Sequence, residues 1–227
     1  VDDYAVSYAF VWDGGLWKLS VMPHHGWHVV NKLKMKAGMG LLAIFMAAGL
    51  FAALLSIYGN KRIAQYAAVH DPLTGLYNRI GFEKKVRQWK KANGDKIFLL
   101  AILDIDDFKF INDIYGHGYG DKALKCLADS MKAFFPSDAI LGRNGGDEFC
   151  VLLPNYTFEE AEAQLQQFTS LPKTFSCRGR EQQFYISLGY AEYPTFASSL
   201  SQLMRCADAA LYEIKLHGKN GCMSYSK

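Results

Sequence analysis

The stretch from Ala37 to Tyr58 contains no charged residue, and this feature restricts what the chain can fold into more than any other. At about 1.5 Å per residue, a helix of this length crosses the roughly 30 Å hydrocarbon core of a bilayer. A signal peptide would be shorter and would end in a small-residue cleavage site, and a buried core helix with Ser56 as its one polar residue would be unusual. We therefore predict a transmembrane helix over residues 37–58.

The pairing of this helix stays open on the sequence alone. Ala48, Ala52 and Ser56 recur every four residues, a spacing that lets two membrane helices approach closely. An alanine-rich span without pairing has the same pattern. Basic residues flank both ends, so the positive-inside rule does not decide the orientation. All five cysteines lie beyond residue 125, none in a Cys-x-x-Cys pair, which is typical of a reducing compartment and places the C-terminal side in the cytosol.

Residues 1–36 predict a β-hairpin before the span. Alternate residues from Tyr4 to Phe10 are apolar or aromatic, Asp13-Gly14-Gly15 supplies a turn, and Leu16–Val21 forms a second strand. A lone hairpin is only marginally stable in water, so we interpret this part as the end of a larger domain. The cluster of His24, His25 and His28 has no carboxylate or cysteine at ligand spacing, which favours a polar loop over a metal site.

Residues 71–227 alternate between helical and strand patterns, after a short helical linker over residues 59–70. The pattern predicts the following elements: helices over 82–91, 123–135 and 200–216, a helix capped by Thr157 and Glu160, and strands over 97–103, 140–141, 149–153, 184–191 and 222–225. We expect an α+β domain with a central sheet that is covered by helices on one face. The net charge of +3 is small and does not indicate a nucleic-acid binder.

Two groups of carboxylates mark the predicted site. Asp104, Asp106 and Asp107 follow a buried strand, and Asp147 with Glu148 occupies a tight turn that enters the next one. Carboxylates at neighbouring strand ends can share Mg²⁺, which prefers oxygen ligands and keeps water and substrate phosphates in its shell. The adjacent Gly145 and Gly146 have no side chains and let a nucleotide approach the backbone. Either acidic group alone would be interpreted as a surface turn.

Five sequence blocks, in order, together resemble the GGDEF domains, the diguanylate cyclases. They are DPLTGLYNR at residues 71–79, DIDDFKFINDIYGHGYGD at 104–121, GGDEF at 145–149, ISLG at 186–189 and ADAALYEIKLHGKN at 207–220. The resemblance implies a ferredoxin-like nucleotide-cyclase domain that condenses two GTP molecules into cyclic di-GMP across a homodimer.

The resemblance also implies roles for particular residues. The implied metal ligands for Mg²⁺ or Mn²⁺ are Asp104, the carbonyl of Ile105, Asp147 and Glu148. The implied catalytic residues are Asp147 as the base, Glu148 and Lys109. The implied GTP contacts are Phe108, Asn112, Asp121, Gly145, Gly146, Lys215 and Lys219. Asn112 and Asp121 would recognise guanine, and the two late lysines would hold the triphosphate, although arginine is common in the family where Lys219 stands.

The chain departs from the family at one regulatory motif. Many members carry Arg-x-x-Asp before the signature, where cyclic di-GMP inhibits, whereas Pro136 and Ala139 occupy the matching positions here. The stretch from Trp17 to Trp27 resembles the end of an extracytoplasmic Cache or CHASE sensor domain. We therefore expect a protein of the bacterial inner membrane, with residues 1–36 outside and the cyclase domain in the cytoplasm. The rival hypotheses are a silent nucleotide-sensing module and a plain membrane anchor.

Overall fold

The computed structural model describes residues 6–22, 28–94 and 96–226. The chain divides into two compact units, Val1–Arg62 and Ile63–Lys227. The second of these contains every residue of the predicted site.

The first unit contains the predicted hairpin. Strands β1 (Val6–Trp12) and β2 (Gly15–Val21) pair antiparallel around a two-residue turn. The turn residues, Asp13 and Gly14, have φ angles of 50° and 72°. Both angles are positive, as a two-residue hairpin turn of type I′ requires. Tyr4, His24, His25 and Trp27 lie outside the described residues.

A 40-residue helix, α1 (His28–Ala67), contains the predicted span. By length and composition, its stretch Lys32–Ala67 could cross a membrane, and the most apolar part of that stretch is not buried. Large apolar side chains such as Leu41, Phe45 and Phe51 are exposed to solvent. The helix ends at Ala67, three residues before the predicted end of the linker, and residues 68–70 form a turn and a bridge.

The second unit is built on a six-stranded sheet. Its strands are β3 (Tyr77–Asn78), β4 (Phe98–Ile105), β5 (Ile140–Gly145), β6 (Glu148–Pro154), β9 (Ile186–Tyr193) and β10 (Gly221–Ser224), in the order β10-β9-β4-β6-β5-β3. The inner strands β9, β4, β6 and β5 are all antiparallel, which is the ferredoxin-like arrangement. The edge strands β3 and β10 are parallel to their neighbours.

Helices cover both faces of this sheet, so the prediction of helices on one face is wrong. The helices are α2 (Arg79–Asn93), α3 (Phe108–Tyr115), α4 (His117–Phe134), α5 (Phe158–Ser170) and α6 (Leu200–Leu216). Alternate residues of β4 point to opposite faces: Leu99 and Leu103 join the core formed with α4 and α5, and Leu100 and Ile102 join the core with α2 and α6. The continuous apolar run of β4 is the sequence feature that fits burial on two faces.

The strand predicted over residues 184–191 is divided in the structure. A separate hairpin of β7 (Lys173–Cys177) and β8 (Arg180–Phe184) ends at Phe184, and β9 begins at Ile186. The intervening Tyr185 accepts a hydrogen bond through its carbonyl from the Asp106 backbone, at 2.9 Å. The helix predicted over 200–216 and the Thr157–Glu160 capping box are both confirmed.

Candidate active site

The predicted carboxylates meet at the ends of β4 and β6. Asp104 pairs directly with Glu148 in the antiparallel register, so their side chains leave the sheet on the same face. Burial raises the pKa of Asp104 to about 6, and the neighbouring Asp147 carboxylate adds to this effect. Burial also raises the pKa of Glu148. This crowding of partly buried negative charge favours a bound cation.

The turn before Glu148 requires glycine for its backbone conformation. Gly145 and Gly146 have φ angles of 136° and 56°, which side-chain-bearing residues rarely adopt. A methyl group at either position would meet no atom within 4 Å, so space does not restrict these positions. The turn therefore presents open backbone beside Asp147.

Arg143 holds this turn in place, a role that the sequence analysis missed. Its Nε and Nη2 donate to the carbonyl of Gly146 at 3.0 and 2.6 Å. Its Nη1 donates to both carboxylate oxygens of Asp71, at 3.0 and 3.1 Å. Thr74 donates to the same carboxylate through its backbone and its hydroxyl. Burial opposes ionisation of Asp71, but the bonds from Thr74 and Arg143 keep the pKa of this carboxyl below its ordinary value.

The two predicted phosphate-binding lysines pair with carboxylates. Lys215, in the last turn of α6, donates to Asp104 with Nζ and Oδ2 2.7 Å apart. Lys219, beyond the end of α6, donates to Asp107 at the same distance. The Lys215 ammonium thus lies at the carboxylate to which the resemblance assigns a metal ion.

Asp106 has a structural role. Its Oδ1 accepts from the Ser187 hydroxyl at 2.7 Å, and its Oδ2 accepts from the Asn220 backbone at 2.9 Å. Both Asp106 and Ser187 are buried. This network ties the end of β4 to β9 and to the segment that carries Lys219.

The predicted guanine-recognition residues lie where α3 meets α4. A methyl group on Gly120 would lie 2.1 Å from Oδ1 of Asn112 and 3.2 Å from the Phe108 ring, so glycine permits this close approach. Asn112 is half-buried, and Asp121 follows Gly120 and is exposed. Lys109 is exposed on the first turn of α3, and no contact found in the described residues joins it to the acidic group.

The donor set fits a hard divalent ion that completes its shell with substrate. Among the described residues, no three His, Cys, Asp or Glu side chains are close enough together to hold a metal ion by themselves. Mg²⁺ does not require such a cage, because one or two carboxylates with water and phosphate oxygens are its usual ligands. Asp104, the Ile105 carbonyl and Asp147 are suitable donors for such an ion.

Comparison with known proteins identifies the family. The model of the family described as "Diguanylate cyclase, GGDEF domain" matches residues 68–221. This match covers more than half of the chain and includes both carboxylate groups and both lysines. The chain therefore belongs to the GGDEF family of diguanylate cyclase domains.

Curated relatives agree with this assignment. The uncharacterized protein YhcK of Bacillus subtilis is 36% identical over 170 residues, which cover 72% of this chain and 47% of YhcK. The probable diguanylate cyclase DgcT of Escherichia coli is 29% identical over 198 residues, which cover 86% of this chain and 42% of DgcT. The chain thus spans less than half the length of these relatives.

Solved structures show the same fold. The coiled coil and GGDEF domain of DgcB from Caulobacter crescentus, in complex with c-di-GMP, matches with a TM-score of 0.69 and 28% identity, over 78% of this chain and 96% of that one. Diguanylate cyclase SiaD from Pseudomonas aeruginosa, in complex with its activator SiaC, matches with a TM-score of 0.64 and 27% identity, over 87% of this chain and 77% of that one.

Proposed function

We propose that this protein condenses two GTP molecules into cyclic di-GMP and two pyrophosphates. The observation that carries the proposal is the pairing of Asp104 with Glu148 at the strand ends, beside the Asp147 turn, inside a domain that belongs to the GGDEF family. A surface turn would not place partly buried carboxylates of raised pKa together.

The reaction is a phosphoryl transfer that occurs twice. The 3′-hydroxyl of one GTP attacks the α-phosphorus of the other, a phosphodiester bond forms, and pyrophosphate leaves. The hydroxyl proton passes to Asp147, the base that the resemblance assigns. A bound Mg²⁺ or Mn²⁺ ion would polarise the phosphate and neutralise charge. Gly145 and Gly146 leave the backbone open to the nucleotide, and Arg143 keeps this turn fixed.

The ion pair between Lys215 and Asp104 supports a role for this lysine in phosphate binding. An ammonium group beside Asp104 partly offsets the negative charge of the neighbouring carboxylates. In the complex with nucleotide, Asp104 would hold the metal ion and Lys215 would bind the triphosphate. Lys219 can exchange Asp107 for a phosphate oxygen in the same way, because the side chains of Lys219 and Asp107 are both exposed. Lys109 would stabilise charge on the phosphates from α3.

Base selection follows from the donor pattern of guanine. An ionised Asp121 offers only acceptors, which match the N1–H and amino donors of guanine. Adenine has no N1–H, and an acceptor that the bound base shields from water without a donor costs about 1–3 kcal/mol. Asn112 would bind the same base, beside Phe108.

The wider context of the domain belongs to the same proposal. Because each domain would hold one GTP, the active form is a homodimer. The span over residues 37–58 would place the domain at the inner membrane, with residues 59–70 as the connection and 71–227 as the cyclase. The exposed apolar side chains of α1 support the membrane location, since a large exposed apolar surface marks a site of contact with a membrane or another protein. The hairpin would end an extracytoplasmic sensor domain.

The test is turnover of GTP by the full chain in detergent micelles, with nucleotides separated by chromatography. We expect cyclic di-GMP with Mg²⁺ or Mn²⁺, no product with chelator, and little or no cyclic product from ATP. Binding of GTP without product would identify a nucleotide-sensing module instead and would exclude the proposed activity.

A further inference from the structure

One side of α6 lines a groove that leads away from the acidic strand ends. Ser201, Arg205, Asp208, Tyr212 and Lys215 follow one another at intervals of three or four residues, so they share one helix face. They line three adjoining cavities: one includes Asp104 and Lys215, the next Glu148 and Asp208, and the last Ser201 and Arg205. The face covers roughly 20 Å of helix at 1.5 Å per residue.

The far end of this groove is positively charged. Its cavity, of about 310 Å³, is lined by Arg79 and Arg87 from α2 and by Arg205 from α6. Glu83 is the one carboxylate in the lining, and it pairs with both α2 arginines, at 3.4 and 3.2 Å. Arg205 donates to the Ser201 hydroxyl at 3.2 Å. One carboxylate does not balance three guanidinium groups, so the cavity favours an anion.

The charges along the groove therefore alternate. Lys215 and Asp104 lie at one end and Arg87 lies at the other. Arg79 and Arg205 line both the far cavity and the middle one, which also contains Glu148 and Asp208. Arg79 and Glu148 line the same middle cavity. A metal ion at the carboxylates would thus have a phosphate-binding cation on each side. One nucleotide held by Lys215 and Lys219 would use only one of these ends.

We propose that the cavity of Arg79, Arg87 and Arg205 is a phosphate subsite for a second guanine nucleotide, apart from the one held at Lys215. Planar guanidinium groups suit phosphate oxygens because they donate two parallel hydrogen bonds. The inference rests on the proposed function, in which the GTP held by the partner domain of the homodimer approaches the metal centre of this one. The phosphate belongs either to the second GTP or to the cyclic product.

The experiment is calorimetric titration of two ligands into the full chain in micelles with Mg²⁺. The ligands are 3′-deoxy-GTP, which lacks the attacking hydroxyl, and cyclic di-GMP. The Arg87→Ala/Arg205→Ala variant removes one arginine from each helix. Lys84→Ala is the control, because Lys84 is an exposed cation on α2 outside the groove. Arg205→Gln replaces the double variant if circular dichroism shows that the latter is misfolded.

We expect the arginine variant to bind at least one ligand about tenfold more weakly and with less dependence on salt, while Lys84→Ala binds as the wild type does. Weakening for 3′-deoxy-GTP alone assigns the subsite to the second substrate, and weakening for cyclic di-GMP alone assigns it to the product. Unchanged binding of both ligands, or no binding by the wild type, would overturn the proposal. Product formation by the wild type is measured separately, so a failed subsite does not by itself reject the proposed activity.

Discussion

The guanidinium group of Arg143 joins the Asp71 carboxylate to the Gly146 carbonyl, and so links the start of the GGDEF domain to its signature turn. Asp71 and Arg143 are 72 positions apart in the sequence. Both side chains are largely buried, with 18% and 11% of their surface exposed. The contact therefore makes the position of the turn depend on the segment that enters the domain.

We predict that Arg143→Lys lowers turnover by about tenfold or more while GTP binding changes little. Lysine lacks the planar fork and cannot bind Gly146 and Asp71 together. Loss of these bonds should also lower the free energy of unfolding by about 1–3 kcal/mol. Steady-state kinetics and urea unfolding check both effects, with the exposed Arg180→Lys as the control. Normal turnover in Arg143→Lys would show that the contact does not position the turn.

Replacement of Asp121 by serine should weaken the preference for GTP over ATP. A hydroxyl can donate as well as accept, so it can also bind adenine. The expected change in selectivity corresponds to about 1–3 kcal/mol. Competition assays with both nucleotides measure it, and Asp113→Ser, an exposed site on α3, is the control. An unchanged preference would mean that Asp121 does not recognise the base.

Product inhibition through the motif that precedes the signature should be absent. Pro136 and Ala139 form a turn closed by a backbone hydrogen bond of 3.0 Å, and neither offers a charged side chain. We expect no submicromolar inhibition by cyclic di-GMP at this turn. Inhibition curves and calorimetry on the wild type measure it. Tight inhibition that persists in the Arg87→Ala/Arg205→Ala variant would contradict this prediction.

Lys173 should give the protein a measurable dependence of stability on alkaline pH. Its side chain is buried, and its ammonium donates to the carbonyls of Phe168 and Leu171. Burial lowers the pKa of Lys173 from 10.5 to about 8. Between these two values the unfolded chain holds a proton that the folded chain lacks, so stability rises with pH in this window; below pH 8 the full cost of the buried charge remains.

The check is urea unfolding of the wild type and Lys173→Met at about pH 7 and about pH 9.5. We expect the wild type to gain roughly 1–3 kcal/mol relative to the variant at the higher pH. A difference that does not change with pH would show that Lys173 keeps its ordinary pKa in the folded protein.

Local signals made much of this fold predictable. The helix Leu200–Leu216 and the Thr157 cap follow from patterns within a few residues, and the glycine turn follows from its own composition. The carboxylates could be assigned to one site because their strands are neighbours in the sheet. By contrast, helices on both faces and the Asp71–Arg143 contact depend on packing between distant segments. The sequence places Asp106 among the strand-end carboxylates and does not show that Ser187 and Asn220 donate hydrogen bonds to it.

The most direct test of the central claim is cyclic di-GMP formation by three forms of the full chain. The wild type, Asp147→Asn and Asp138→Asn are incubated with GTP and Mg²⁺, and product is measured by chromatography. Asp138 is an exposed residue outside the carboxylate site, so it controls for the loss of one charge. We predict product from the wild type and Asp138→Asn, and a loss of at least about a hundredfold in Asp147→Asn with its fold intact. Near-normal product from Asp147→Asn, or none from the wild type, would contradict the account.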